Sequence, residues 1–149
     1  MSVFLLICAC SNNKTSNINS KASLPDTFEY SFNDLKAITT FINKQSGTMS
    51  TLYGNQLALQ KAIGFNKEMV AGEVFTLVTW KQQADAHWFG ANIPGDLQSV
   101  EVLETTLSRN EAVINYKLYE GKNLALNTDS LHRTERIKFI LVQRPSVMP

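Results

Sequence analysis

The chain has very little cysteine, and none of it lies in the part that carries a fold pattern. Both cysteines of the 149-residue sequence, Cys8 and Cys10, fall within the first ten residues. The remainder therefore offers no thiolate nucleophile, no CxxC pair and no CxxCH site for attaching c-type haem. The HExxH, P-loop and GxSxG motifs are absent too. The two histidines, His87 and His132, lie far apart in the sequence, so no local metal-binding spacing is present.

The sequence also lacks an excess of charge of either sign. Its formal net charge is +1, and its lysines and arginines are scattered along the chain. This pattern predicts no nucleic-acid partner and no attraction to anionic surfaces. With 44% apolar and 18% charged residues, the composition excludes global disorder and a bundle of membrane spans. The length suits one domain with a sizeable core.

No long hydrophobic run occurs, because the apolar stretch at residues 3–9 is far too short to span a bilayer. It is similar to the end of a secretory signal, and Ile7-Cys8-Ala9-Cys10 resembles a bacterial lipobox. Residues 1–10 are therefore predicted to be a lipoprotein signal-like segment, with Cys10 as the lipid anchor. The predicted location is the bacterial periplasm, at the membrane. The alternative is a frayed N-terminus in which neither cysteine has a function.

Residues 11–23 are rich in serine, asparagine and lysine and almost free of apolar side chains. Such a segment cannot bury enough surface to offset the entropy of ordering. We predict a flexible tether over 11–23 and a folded domain over 24–149.

The domain is predicted to be α+β, a mostly antiparallel sheet with one or two short helices. A helical turn is expected after Ser31-Phe-Asn-Asp34. Asn55 has the position of a helix N-cap, and Gly64 follows where such a helix would end. β-branched, aromatic or alternating apolar residues predict strands at 37–42, 48–53, 74–80, 99–104, 114–118 and 136–143.

The stretch Ala84-Asp-Ala-His-Trp-Phe-Gly90 is where polar chemistry and aromatic side chains meet. His87 has the chemistry to ligate iron or to shuttle a proton beside an aromatic wall. In the other interpretation Asp85 and His87 fix a loop, while Trp88 and Phe89 fill the core. The spacing favours the second interpretation.

Four segments together resemble the cytochrome P-460 family: residues 47–55, 71–80, 87–90 and 143–149. The most specific are the Gly-Asn corner before the predicted helix and the strand that ends in Trp80. The resemblance implies a strand-rich periplasmic protein, and members often form dimers. In the best-studied members a c-type haem oxidises hydroxylamine, and related members bind nitric oxide.

Two features of that family are replaced in this chain. The tail at 143–149 stands in place of the CxxCH motif, and Leu77 stands where catalytic members carry the lysine that is linked to haem. We therefore expect no catalytic residue and no cofactor. The resulting prediction is a non-catalytic P-460-type domain that binds a small ligand or a partner. The candidate pocket residues are Tyr53, Trp80, His87 and Trp88.

Two alternatives stay open at this point. One is a protein that holds haem without thioether bonds, with His87 as the metal ligand, and that binds nitric oxide or oxidises hydroxylamine. The other is a structural homodimer without a ligand, in which the aromatic residues serve packing alone. Apart from the lipid anchor, no membrane contact is predicted.

Overall fold

The computed structural model describes residues 18–64, 68–129 and 131–146. Within these ranges the strands form one antiparallel sheet, and each strand pairs with its neighbours in the sequence. The sheet is accompanied by two short helices, so the mostly antiparallel α+β class is confirmed. The elements, in chain order, are β1 (Lys36–Asn43), β2 (Thr48–Gly54), α1 (Gln56–Ala62), β3 (Val74–Ala84), β4 (Asn92–Ser108), β5 (Glu111–Glu120), β6 (Ala125–Asn127) and α2 (Arg133–Leu141).

The β1–β2 hairpin and the start of α1 form as the turn and cap residues predict. In the hairpin turn, the Asn43 side-chain oxygen accepts hydrogen bonds from the amides of Gln45 at 3.0 Å and Ser46 at 3.1 Å. At the start of α1, Asn55 Oδ1 accepts from the Ala58 amide at 3.0 Å, which is an N-cap bond. These side chains satisfy backbone amides that the turn and the first helical turn leave without partners.

Helix α1 packs on the sheet through small residues. Ala58 and Ala62 are buried, whereas Ile63 at the end of the helix is exposed. Gly54 explains how close the helix comes. A Cβ atom there would lie 2.7 Å from Ile38 Cδ1 and 2.8 Å from Ala58 Cβ. The φ angle of Gly54 is not positive, so the backbone here does not require glycine. Glycine is needed because it has no side chain to block the close approach.

Strand β3 is covered on both faces, as its continuous apolar pattern predicts. Phe75 and Leu77 point to the face that carries α1 and α2. Val78 and Trp80 point to the opposite face, which is covered by the segment that precedes β1. Aromatic and aliphatic side chains of that segment pack there: Leu24, Phe28, Tyr30 and Phe32.

The strand predicted at 136–143 is wrong, because this part of the chain forms helix α2. Ile137 and Leu141 fit an alternating pattern, but with Ile140 they also lie three and four residues apart on one helical face. Ile140 is fully buried against the sheet, and that packing favours the helix. After α2 the chain reaches β1, where the Ser146 amide donates to the Ile38 carbonyl at 3.1 Å.

In place of the helical turn expected after Ser31-Phe-Asn-Asp34, the chain makes a tight turn before β1, closed by a 3.1 Å bond from the Leu35 amide to the Phe32 carbonyl. Asn19 lies in the segment predicted to be a tether, and its side chain donates to the Pro94 carbonyl at 2.7 Å. The predicted anchor Cys10 lies outside the described residues. Neither helix in the described ranges has the length and apolar character to cross a membrane.

Candidate functional site

The structure separates the four residues predicted to line a pocket into two pairs. Tyr53 and Trp80 pack in the cluster beneath the N-terminal segment. His87 and Trp88 lie in the loop that joins β3 to β4, and both are exposed. No cleft described below is lined by residues of both pairs.

Tyr53 and Trp80 contact the chain's own N-terminal segment. Trp80 Nε1 donates to the Ala22 carbonyl at 2.8 Å. The Tyr53 ring meets the Phe32 ring edge to face, with 5.6 Å between centroids. The segment therefore occupies the position over these two aromatic rings where a ligand would bind.

The loop between β3 and β4 is fixed by Asp85. Its Oδ1 accepts from the amides of His87 at 2.7 Å and Trp88 at 3.2 Å. This agrees with the expectation that Asp85 holds a loop. The expectation that Trp88 and Phe89 fill the core is wrong, because Trp88 is 73% exposed and Phe89 is fully exposed.

A cleft of about 350 Å³ lies between the sheet and the start of α2. It occupies the polar end of the helix-covered face, whereas the apolar cluster fills the other end. Most of its lining side chains are polar or charged. The polar and charged ones are Thr79, Ser99, Glu101, Glu120, Asn127, Asp129, His132 and Arg136, and the other two lining residues are Leu118 and Leu131.

Glu101 is the most deeply buried charged group of this cleft. It projects from β4 and is 2% exposed. Arg136 of α2 holds it with two hydrogen bonds, from Nε to Oε2 at 2.9 Å and from Nη2 to Oε1 at 2.5 Å. Tyr116 of β5 donates its hydroxyl to Oε2 at 2.5 Å. Both carboxylate oxygens are thus partnered, as a buried charge requires.

The protonation states of this group follow from its contacts. Burial raises the pKa of Tyr116, and the hydrogen bond to Glu101 and the charge of Glu101 raise it further. The hydrogen bond to Glu101 raises the pKa of Arg136. Tyr116 therefore stays a neutral donor and Arg136 a cation at neutral pH. The group can position a charge, but it offers no nucleophile with a lowered pKa.

Two more carboxylates line the cleft, and each uses one oxygen within the fold. Glu120 Oε2 accepts from the Asn127 side chain at 2.6 Å. Asp129 Oδ1 accepts from the Leu131 amide at 2.9 Å. In the part of the chain that the structure describes, the second oxygen of each carboxylate has no hydrogen-bond partner. These oxygens give the cleft acceptors beyond the Glu101–Arg136 pair.

A second buried carboxyl lies outside this cleft. Glu73 is fully buried just before β3, and its Oε1 accepts from the Val70 amide at 3.2 Å. Among the described residues its Oε2 has no hydrogen-bond partner. Burial raises the pKa of Glu73. Glu73 does not line the cleft beside α2, so we expect its effect to be on stability.

Sequence reasoning missed Glu101 and Arg136. Glu101 lies in a predicted strand two residues from Leu103, and this spacing places both side chains on one face. A carboxylate on the same strand face as an apolar residue indicates a buried charge, and the Glu101–Leu103 spacing was such a signal. Arg136 gave no such signal, because its segment also fits a strand.

The described residues contain no group of three or more histidine, cysteine, aspartate or glutamate side chains placed to hold a metal ion. The haem-related positions do not converge either. Leu77 is buried beneath the helices, Trp80 lies on the opposite face, and His87 is in the exposed loop. The structure therefore does not bring these three positions together at one site. No family model matches this chain, and a search of curated proteins finds no match.

Proposed function

We propose that this domain is a binding module for a small polar molecule, and that the cleft between the sheet and α2 is its site. The observation that supports the proposal is the Glu101–Arg136 pair at the floor of the cleft. Such buried pairs are often replaceable by apolar residues without loss of stability. A charged pair kept at a cleft is therefore a candidate functional group.

Arg136 supplies donors to the cleft. A guanidinium group has five N–H donors. Glu101 takes two of them in the described structure, and the Arg136 side chain is 39% exposed. Its remaining donors can bind an acceptor such as a carboxylate or a carbonyl oxygen of the ligand. Because Glu101 holds the guanidinium in place, little side-chain entropy is lost when the ligand binds.

Glu120 and Asp129 determine which chemical group the ligand carries at the end away from Arg136. Since Glu101 and Arg136 compensate one another, these two carboxylates leave the cleft with negative charge. They favour an ammonium group or a set of N–H donors. The cleft volume of about 350 Å³ suits a molecule of a few heavy atoms up to small-metabolite size. We infer a small amine or a zwitterion as the ligand class.

A thermal-shift screen tests this proposal. The probes are free α-amino acids, alkyl diamines and dicarboxylates, each added to the full chain. Binding to the native state stabilises it, so a probe at tenfold its Kd should raise Tm by roughly 3–6 °C. Amine-bearing probes should give this shift and dicarboxylates should not.

Matched variants assign the shift to the cleft. The double variant Glu120→Gln, Asp129→Asn keeps an acceptor oxygen at each position and should abolish the shift. Glu111→Gln removes an exposed carboxylate at the β4–β5 turn, far from the cleft, and should retain it. If no amine-bearing probe stabilises the protein, or if both variants respond alike, the cleft is not the binding site.

The family and the location enter the proposal from the sequence alone. We propose a periplasmic lipoprotein of the P-460 type without covalent haem, on the strength of the resemblance and of the lipobox-like stretch ending at Cys10. Cys10→Ser should abolish incorporation of a labelled fatty acid into the protein in a bacterial host. Unchanged labelling would contradict the anchor.

A further inference from the structure

The tip of the β3–β4 hairpin is an ordered loop that displays two aromatic rings. The Asp85 amide donates to the Ala91 carbonyl at 2.9 Å, and the Ala91 amide donates to the Trp88 carbonyl at 3.1 Å. With the two side-chain bonds of Asp85, these contacts close the loop. The rings of Trp88 and Phe89 nevertheless point into solvent. Their exposure is thus built into a hydrogen-bonded structure.

The two rings have no packing role in the described fold. Neither belongs to either core cluster, and the strand residues behind them are polar, including Gln82, Gln83 and Asn92. Two aromatic side chains bury at most about 500 Å² together. A stable protein interface needs about 800 Å² from each partner. The tip is too small for such an interface, but it suits insertion into a bilayer, where tryptophan favours the headgroup region.

Other parts of the chain lie at the same end of the sheet. The Gln82 amide donates to the Gly47 carbonyl at 2.8 Å, which places the β1–β2 turn beside the hairpin. The 2.7 Å bond from Asn19 to Pro94 places the start of the described chain there as well. Residues upstream of Ile18 therefore join the domain at this end. A lipid on Cys10 would hold the same end against a membrane.

The charges at this end compensate one another. Lysines and acidic residues both occur here, including Lys21, Lys122, Asp26, Asp96 and Glu120 around one groove. A wide groove of about 1170 Å³ beside the N-terminal segment is lined by several of them, of both signs. Electrostatic attraction to anionic lipids is therefore weak here, and the aromatic rings must supply the binding energy.

We propose that the Trp88–Phe89 tip inserts into the interface of a lipid bilayer. The domain then contacts the membrane through this hairpin as well as through the predicted lipid. Two attachment points would fix its orientation, with the sheet's hairpin end toward the lipid and the opposite end, at the β4–β5 turn, toward solvent.

The test uses the full chain with Cys10→Ser, so that no lipid contributes, and phosphatidylcholine vesicles. We expect the protein to sediment with the vesicles and its tryptophan emission to shift to the blue. Lipids brominated near the headgroup should quench the emission of Trp88. In the Trp88→Ala variant the remaining emission, from Trp80 beneath the N-terminal segment, should not be quenched. The double variant Trp88→Ser, Phe89→Ser should lower the vesicle-bound fraction by roughly tenfold or more.

Leu107→Ser is the matched control, since Leu107 is an exposed apolar side chain at the opposite end of β4. It should leave the bound fraction unchanged, and circular dichroism should show all variants folded. Binding should persist from about 50 mM to about 500 mM salt. A parent protein that ignores vesicles, or a strong salt dependence, would overturn the proposal. So would a tip variant that only converts a dimer to a monomer, because the rings would then serve a protein contact.

Discussion

Removing the Arg136 side chain should destabilise the domain more than its half-exposed position suggests. In Arg136→Met, the buried Glu101 carboxylate keeps a single donor, the Tyr116 hydroxyl. Two hydrogen bonds to a charged group are lost, each worth about 1.5–3 kcal/mol. Water entering the cleft offsets part of this loss, since Arg136 is 39% exposed. We expect the free energy of unfolding to fall by about 3 kcal/mol, near the lower end of the range for breaking a buried pair.

Urea unfolding at pH 7 measures this change, and the slope m should stay constant, as for a two-state domain. Arg133→Met is the control. Arg133 is exposed, and its guanidinium carbon lies 5.9 Å from the centre of the Tyr116 ring, so its loss should cost less than about 1 kcal/mol.

A double variant separates a buried-charge penalty from lost packing. Glu101→Leu combined with Arg136→Met removes both charges, and it should be at least about 1 kcal/mol more stable than Arg136→Met alone. The single variant Glu101→Leu completes the comparison. If the losses of unfolding free energy in Glu101→Leu and Arg136→Met simply add in the double variant, the two side chains are not coupled. The same conclusion follows if Arg136→Met costs no more than Arg133→Met.

Three further changes test other parts of the fold by the same unfolding assay. Glu73→Gln should stabilise the protein by about 1 kcal/mol at pH 7, because it removes a buried charge with an unpartnered oxygen. Since burial raises the folded pKa of Glu73, the parent gains stability as the pH falls, and the difference should vanish toward about pH 4; a difference that is constant with pH would refute this. Gly54→Ala should cost about 1–3 kcal/mol, because its Cβ would collide with Ile38 and Ala58; a neutral effect would show that α1 can shift. Asn55→Ala should cost about 1–2 kcal/mol through the lost cap, and an unchanged stability would mean that water replaces it.

The local parts of the fold could be predicted from the sequence because single residues determine them. Asn43 and Asn55 act on amides two to three residues away, so the turn and the cap are visible without any tertiary information. The segment that became α2 is different. Its apolar residues fit both the two-residue period of a strand and the 3.6-residue period of a helix. Its N-cap residue His132 makes no side-chain cap bond, so no local signal marks the start of a helix. Burial of Ile140 against the sheet favours the helix.

The candidate cleft depends on contacts between distant parts of the chain. Glu101 and Arg136 come together only if α2 lies across β4, and the alternating pattern of 136–143 hides that arrangement. The residues around His87 were predicted to form a site only because polar and aromatic side chains meet there in the sequence. Their actual position depends on how far β3 and β4 extend, since both strands run beyond their predicted ends and carry the loop out of the core.

The contact between Ser146 and Ile38 has a consequence for the order of folding. Every strand pairing in the described sheet joins strands that follow one another in the sequence. Most of these pairs close a short loop at small entropic cost, and β2 and β3 are joined through α1. The bond from the Ser146 amide to the Ile38 carbonyl instead joins the first strand to the segment after the last helix. Because this bond joins residues near the two ends of the domain, we expect it to form after the local hairpins. It also couples the first strand to the segment after α2, so we expect the loss of one to favour the loss of the other.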